Sequence, residues 1–129
     1  VDTFTIETNQ ETELVNITER VEGIVSKSKV KNGICLIFVK HATAGIIVNE
    51  DESNLREDLV SFFSKIAPKS DWKHNKIDDN AEAHLKSAMI GQGRVLPIQD
   101  GKLVRGTWQD ILLCEFDGPR TRNVVVVCK

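Results

Sequence analysis

Asp110-Ile-Leu-Leu-Cys-Glu-Phe116, the turn Asp117-Gly-Pro-Arg120 and the run Val124-Val-Val-Val127 follow one another with almost nothing between them. Two short strands that close in sequence, with Gly and Pro between them, predict antiparallel neighbours, because a parallel crossover needs a dozen or more residues. The four consecutive valines predict a strand covered on both faces, and Ile34 to Val39 reads the same way.

Working outward, Arg94 to Gln99, the Asp100-Gly101 turn and Lys102-Leu-Val-Arg105 form a further hairpin-like pair ahead of Gly106-Thr-Trp-Gln109. Thr3 to Thr8 alternates polar and apolar residues as a half-buried first strand, and Ile46 to Val48 is a short strand after His41-Ala-Thr-Ala-Gly45. Three helices are expected. One follows Asn16, with Glu19 at capping-box spacing and an apolar stripe of Ile17, Val21, Ile24 and Val25. The second follows Asn49 and Glu52 and carries Leu55, Leu59, Phe62 and Ile66 before Pro68 stops it. The third starts at Asn80 as N-cap, buries Ala81, Leu85, Ala88 and Met89, and ends at Gly91. The expected fold is a single domain over residues 1–129, α/β (α+β) in class. It has a mixed, largely antiparallel, sandwich-like arrangement of about seven strands with three helices.

Composition narrows the function classes. A net charge of −2 and a pI near 5.9, with Lys29, Lys31, Lys40, Lys65 and Lys69 scattered among acids, argue against a nucleic-acid or anionic-membrane surface. No apolar run reaches membrane-span length, and Val1-Asp-Thr-Phe4 has no signal-peptide character. Cys35, Cys114 and Cys128 are odd in number, far apart and set in apolar runs, which predicts core thiols of a reducing cytoplasm, not a disulfide framework.

The polar residues most able to carry chemistry gather in few places. His74-Asn-Lys-Ile-Asp-Asp-Asn-Ala-Glu-Ala-His84 joins a long polar loop, Pro68 to Asp79 with Trp72 in its middle, to the third helix. His41 and Thr43 sit at a Gly-containing bend, followed by Asn49, Glu50 and Asp51. His41, His74 and His84 are the right residue type for an open zinc site, and the acids could hold Mg²⁺ at a phosphate or move a proton. Three separately hydrogen-bonded histidines and acids that merely cap helices explain the same residues. Arg120 and Arg122 flank a tight turn and could clamp a carboxylate or phosphate with two prongs, with cross-strand ion pairs an equal alternative; Pro119 and Gly118 should aim Arg120 toward a carboxylate or a bound anion near the histidines. Trp108 either lines a pocket or belongs to the core.

His41-Ala-Thr-Ala-Gly-Ile-Ile-Val-Asn-Glu50, His74, Asp79-Asn-Ala-Glu-Ala-His-Leu-Lys-Ser87, Gly106-Thr-Trp-Gln109 and Asp117-Gly-Pro-Arg120 together resemble the YjbQ-like family, often labelled secondary thiamine-phosphate synthase. The resemblance implies a small cytoplasmic homotrimer with a mixed α/β sandwich-like fold. It also implies a shared polar site at His41, Thr43, Asn49, Glu50, His74, Asn80 and His84, with Asp79 or Glu50 placed to handle a proton. Glu82 departs from the family pattern, which puts a further histidine or a small residue there in many relatives. The label implies joining a pyrimidine diphosphate to a thiazole phosphate with loss of pyrophosphate, with Arg120, Trp108 and possible divalent zinc or magnesium at a small phosphorylated or anionic substrate. The alternative is a non-catalytic trimer that binds a small anionic ligand or metal.

Overall fold

The computed structural model describes all residues from 1 to 129. The strands are β1 (Asp2–Glu7), β2 (Glu13–Asn16), β3 (Gly33–Val39), β4 (Ala44–Asn49), β5 (Gly93–Gln99), β6 (Lys102–Leu103), β7 (Asp110–Glu115) and β8 (Thr121–Cys128). The helices are α1 (Thr18–Ser28), α2 (Ser53–Ile66) and α3 (Ala81–Ile90). Every strand pair is antiparallel, in a five-stranded sheet of order β1-β8-β3-β5-β6 and a three-stranded sheet of order β2-β7-β4. No helix is long and apolar enough to cross a membrane.

The mixed fold with three helices is as expected, but β7 and β8 are not neighbours. The Asp117–Arg120 turn carries the chain from the small sheet to the large one, so each strand pairs with partners far away in sequence. Gly118 is needed in that turn because its backbone lies against the Gln10 carbonyl, where any Cβ would collide. The extra strand, β2, lies where the sequence suggested only the approach to a helix.

The layers follow from burial. Phe4, Cys35, Ile37, Val39, Leu96, Ile98, Val124 and Val126 on the inner face of the large sheet pack against Ala44, Ile46, Ile111 and Leu113 of the small sheet. Val21 and Val25 of α1 join the same core. On the other face of the small sheet, Leu14, Cys114 and Phe116 meet Phe63 of α2 and Ala83 of α3. The small sheet is therefore the middle layer, and β7 is the strand buried on both sides. The sequence assigned that position to Ile34–Val39 and Val124–Val127. In fact these bury alternate residues only, leaving Ile34 and Phe38 exposed and Leu36, Val125 and Val127 half-buried, with Val95 of β5 exposed beside them.

Two helix faces also differ from the periodic reading. In α2, Leu59 and Ile66 pack on the core as expected, but Phe63, 2% exposed, takes the place given to Phe62, which is 55% exposed. In α3 the buried side chains are Ala81, Ala83, Lys86 and Ser87, while Leu85 and Met89 face outward, Met89 being 71% exposed. Ser87 explains the rotation, because its hydroxyl donates to the Ala44 carbonyl at 2.6 Å and fixes that face on β4. The helix entrances agree in part. Asn16 accepts the Thr18 N–H at 3.0 Å as expected, whereas Glu52, not Asn49, accepts the Asn54 and Leu55 N–H groups, and Asn75, not Asn80, accepts the Ala81 N–H at 2.8 Å.

Candidate functional site

The site is built over a buried ion pair. Glu115 ends β7 and Arg122 is the second residue of β8; they are 0% and 2% exposed, and their side chains form a two-pronged bond. Two such charges persist in a core only when every polar atom is engaged. Arg122 also donates to the hydroxyl of Thr43 at 2.8 Å and to its carbonyl at 3.1 Å. Glu115 accepts the Thr8 hydroxyl at 2.7 Å and the Asp117 N–H at 2.9 Å. Thr8 in turn accepts the Arg120 N–H at 2.9 Å. The pair thus fixes the bend carrying His41 and the turn carrying Arg120.

Above this floor runs a polar relay. Arg120 grips Asp117 through Nε to the carbonyl at 2.8 Å and Nη2 to the carboxylate at 3.0 Å. The same carboxylate accepts Asn80 Nδ2 at 2.9 Å, and Asn80 Oδ1 lies 3.0 Å from His74 Nε2. Because an ionised carboxylate only accepts, the Asn80 amide must turn its NH₂ to Asp117 and its oxygen to His74. His74 therefore carries a proton on Nε2. Its ring meets His84 edge-to-face, with centroids 4.7 Å apart.

His41 has the opposite tautomer. Its Nε2 accepts the Asn123 N–H at 2.8 Å, leaving Nδ1–H as its donor. Its pKa lies below the ordinary imidazole value, first through burial and then through the Arg122 guanidinium; Lys40 and Arg120 add to this and Glu115 opposes it. The unfolded chain takes up the proton near pH 6.5 and the folded one only at lower pH. The contribution to stability is therefore full above that value and is lost as pH falls below it. In urea unfolding, the stability advantage of wild type over His41→Gln should shrink between about pH 7.5 and about pH 5.5. An advantage that grows toward acid would contradict the assignment.

Two cavities meet at His84. One, of about 470 Å³, is polar and lined by His41, Thr43, Asn80, His84, Asp117, Arg120, Thr121 and Arg122 among others. The other, of about 440 Å³, is mainly apolar and lined by Trp72, His74, Ala81, His84 and Leu85 with Asp71 and Lys73. Around the polar cavity, Nδ1–H of His41, Nη1 of Arg120 and the ring nitrogens of His84 have no protein partner.

The structure gathers His41, Thr43, His74, Asn80, His84 and Arg120, and the carboxylate that Arg120 meets is Asp117's. It does not gather the rest. Asn49 and Glu50 lie at the far end of β4, where Asn49 pairs with Asp110, while the site lies where Ala44 pairs with Glu115. Trp108, in the turn before β7, is at that far end too and is 72% exposed. The cavity tryptophan is Trp72, whose Nε1 donates to the Pro68 carbonyl at 2.9 Å and orders the long loop. Asp79 is exposed and lines neither cavity. Glu82 holds the Asn75 amide at 3.2 Å, completing the α3 entrance. The metal set is divided: His74 touches His84, and His41 only shares a cavity with it. No three His, Cys, Asp or Glu side chains come close enough to seat an ion.

Arg122, beside the tight turn, is legible in sequence as a clamp for a carboxylate, whereas its partner Glu115 and the neighbouring Asp117 carry no expected role. A lone glutamate inside the apolar run Ile111–Phe116 was the available signal, since a charge in a strand buried on both faces demands a partner of opposite sign.

Comparison with known proteins agrees with this architecture along the whole chain. A UPF0047 protein of Archaeoglobus fulgidus is 42% identical over 124 residues, covering 95% of this chain and 96% of that one. A crystal structure of a YbjQ-like protein of unknown function from Sulfolobus solfataricus P2 superposes with a TM-score of 0.97 at 52% identity, covering 98% of this chain and 94% of that one. A hypothetical protein from Aeropyrum pernix K1 gives 0.96 at 41% identity, with 99% and 96% covered. The family described as UPF0047 protein YjbQ-like matches residues 2–129, and the chain belongs to it.

Proposed function

We propose that this protein is a small-molecule enzyme that holds a phosphorylated heterocycle, with the phosphate in the polar cavity and the ring in the apolar one. The observation that carries this reading is the meeting of the two cavities at His84, with donors on His41, Arg120 and His84 left without protein partners. Arg120 supplies charge and an unused Nη1, and is not locked away, since its side chain is 52% exposed. Trp72 and His84 offer flat faces to a ring.

The specific reaction we propose is the one the family's label names. The bond from a pyrimidine's methylene carbon to diphosphate oxygen breaks, and the thiazole ring nitrogen forms the new C–N bond. Arg120 and the His41 Nδ1–H would offset charge growing on the departing diphosphate. No side chain need remove a proton, which suits a cleft whose carboxylate, Asp117, is already engaged by Arg120 and Asn80. That same engagement favours the second reading, a binder without turnover. Release of pyrophosphate from the two substrates, lost in Arg120→Ala, supports the enzyme; saturable binding without product supports the binder.

We further propose a homotrimer acting in the cytoplasm. Val95, Leu36 and Val127 are cross-strand neighbours on the outer face of the large sheet, as are Phe38 and Val125. A contiguous apolar sheet face on one chain calls for a partner surface. Light scattering should give three times the 14.4 kDa chain mass, and Phe38→Glu should reduce it. A stable wild-type monomer at micromolar concentration would end this proposal.

A further inference from the structure

Cys35 and Cys128 are far apart in sequence but directly opposite each other on β3 and β8. Their neighbours Ile34 and Lys129 exchange both backbone hydrogen bonds, at 2.9 and 3.0 Å. In an antiparallel ladder the next pair must then be a non-hydrogen-bonded one, the slot where Cα atoms stand about 4.5 Å apart and side chains are closest. That separation falls within the range spanned by disulfides, about 4.4–6.8 Å. Both side chains turn to the inner face. Cys35 is fully buried in the main core, and Cys128 packs against that core half-buried at the sheet's end. Cys114 lies in the other core, between the small sheet and the helices.

We propose that Cys35 and Cys128 form a reversible cross-strand disulfide site that small-molecule disulfides such as oxidised glutathione can close. The half-exposed Cys128 thiolate attacks one sulfur of the small disulfide and expels the other half as a thiolate. The Cys35 thiolate then attacks Cys128 in that mixed disulfide and expels the second half. Two protein thiols are oxidised, one external disulfide is reduced to two thiols, and the two protons lost by the protein thiols end on the two released thiols. Burial sets the pace of the second step, since the Cys35 thiol is pushed up to about 12. Closure should therefore quicken by about tenfold per pH unit across neutral and mildly alkaline pH. The bond would staple the last strand to the centre of the large sheet, so the oxidised protein should melt several degrees higher than the reduced one.

The test is intact-mass and peptide analysis of folded protein treated with oxidised glutathione near about pH 8.5, then denatured and alkylated. The expected result is loss of two hydrogens, a Cys35–Cys128 linked peptide, one alkylated thiol at Cys114, and reversal by dithiothreitol. Cys35→Ala should stop the reaction at a glutathione adduct on Cys128. A stable adduct on wild-type Cys128, a link to Cys114, or no reaction in the folded state when the denatured chain reacts would each overturn the proposal. Since the wild-type protein gives the answer, a Cys35→Ala variant that fails to fold leaves the test intact.

Discussion

Glu115→Ala should cost the fold about 3–5 kcal/mol, because it leaves the Arg122 guanidinium buried with no counter-charge. Arg122 is 2% exposed and would retain only its two bonds to Thr43. The Asp117 N–H would lose its acceptor at the same time, and Thr8 would keep only the Arg120 carbonyl. For a domain of this size the melting temperature should fall by more than about 10 °C. Replacing both partners with apolar residues, as in Glu115→Met with Arg122→Met, should be markedly less costly than Glu115→Ala alone, since no charge is then stranded. A single variant as stable as wild type would mean that water reaches Arg122 and the floor of the site is not dry.

What the sequence could and could not disclose follows from range of interaction. Period-two and period-3.6 patterns reveal which segments become strands and helices, and those segments are found. They do not reveal which of two sheets a strand joins. Closeness in sequence therefore pairs β7 with β8, although the Asp117–Arg120 turn separates them into different layers. Nor do they say which apolar face is covered within one chain. Leu85 and Met89 of α3 were assigned inward on spacing, yet the Ser87 hydroxyl bond to Ala44 decides the rotation. At the site, His41, His74, Asn80, His84 and Arg120 stood out because polar residues at bends and helix entrances are conspicuous. Asn49, Glu50 and Trp108 stood out equally, but they lie at the other end of the small sheet, a fact of strand length and direction alone. Glu115 hides within the apolar run Ile111–Phe116, and although Arg122 is conspicuous beside the turn, only their three-dimensional meeting pairs the two charges.

His84 is where the second large effect is expected. It lines both cavities, and its ring packs on His74, which the Asn80–Asp117–Arg120 relay holds in place. His84→Ala should remove a donor from the polar half and a wall from the apolar half together. Affinity for a phosphorylated heterocycle should fall by about 10–100-fold, the scale of one lost hydrogen bond to a charged group plus lost ring contact. Removing the phosphate from the ligand should weaken wild-type binding, and the remaining affinity should still depend on His84. Trp108→Ala should leave affinity within about twofold in a single chain, since that side chain lies at the far end of the fold.

The two-part cavity is tested most directly by calorimetric titration of a thiazole phosphate and its dephosphorylated alcohol into wild type and Arg120→Lys. The phosphate should bind wild type at least about tenfold more tightly than the alcohol. Arg120→Lys should remove most of that difference, because the planar two-pronged donor is lost while the charge remains. Equal binding of phosphate and alcohol by wild type, or a preference untouched by Arg120→Lys, would contradict the account.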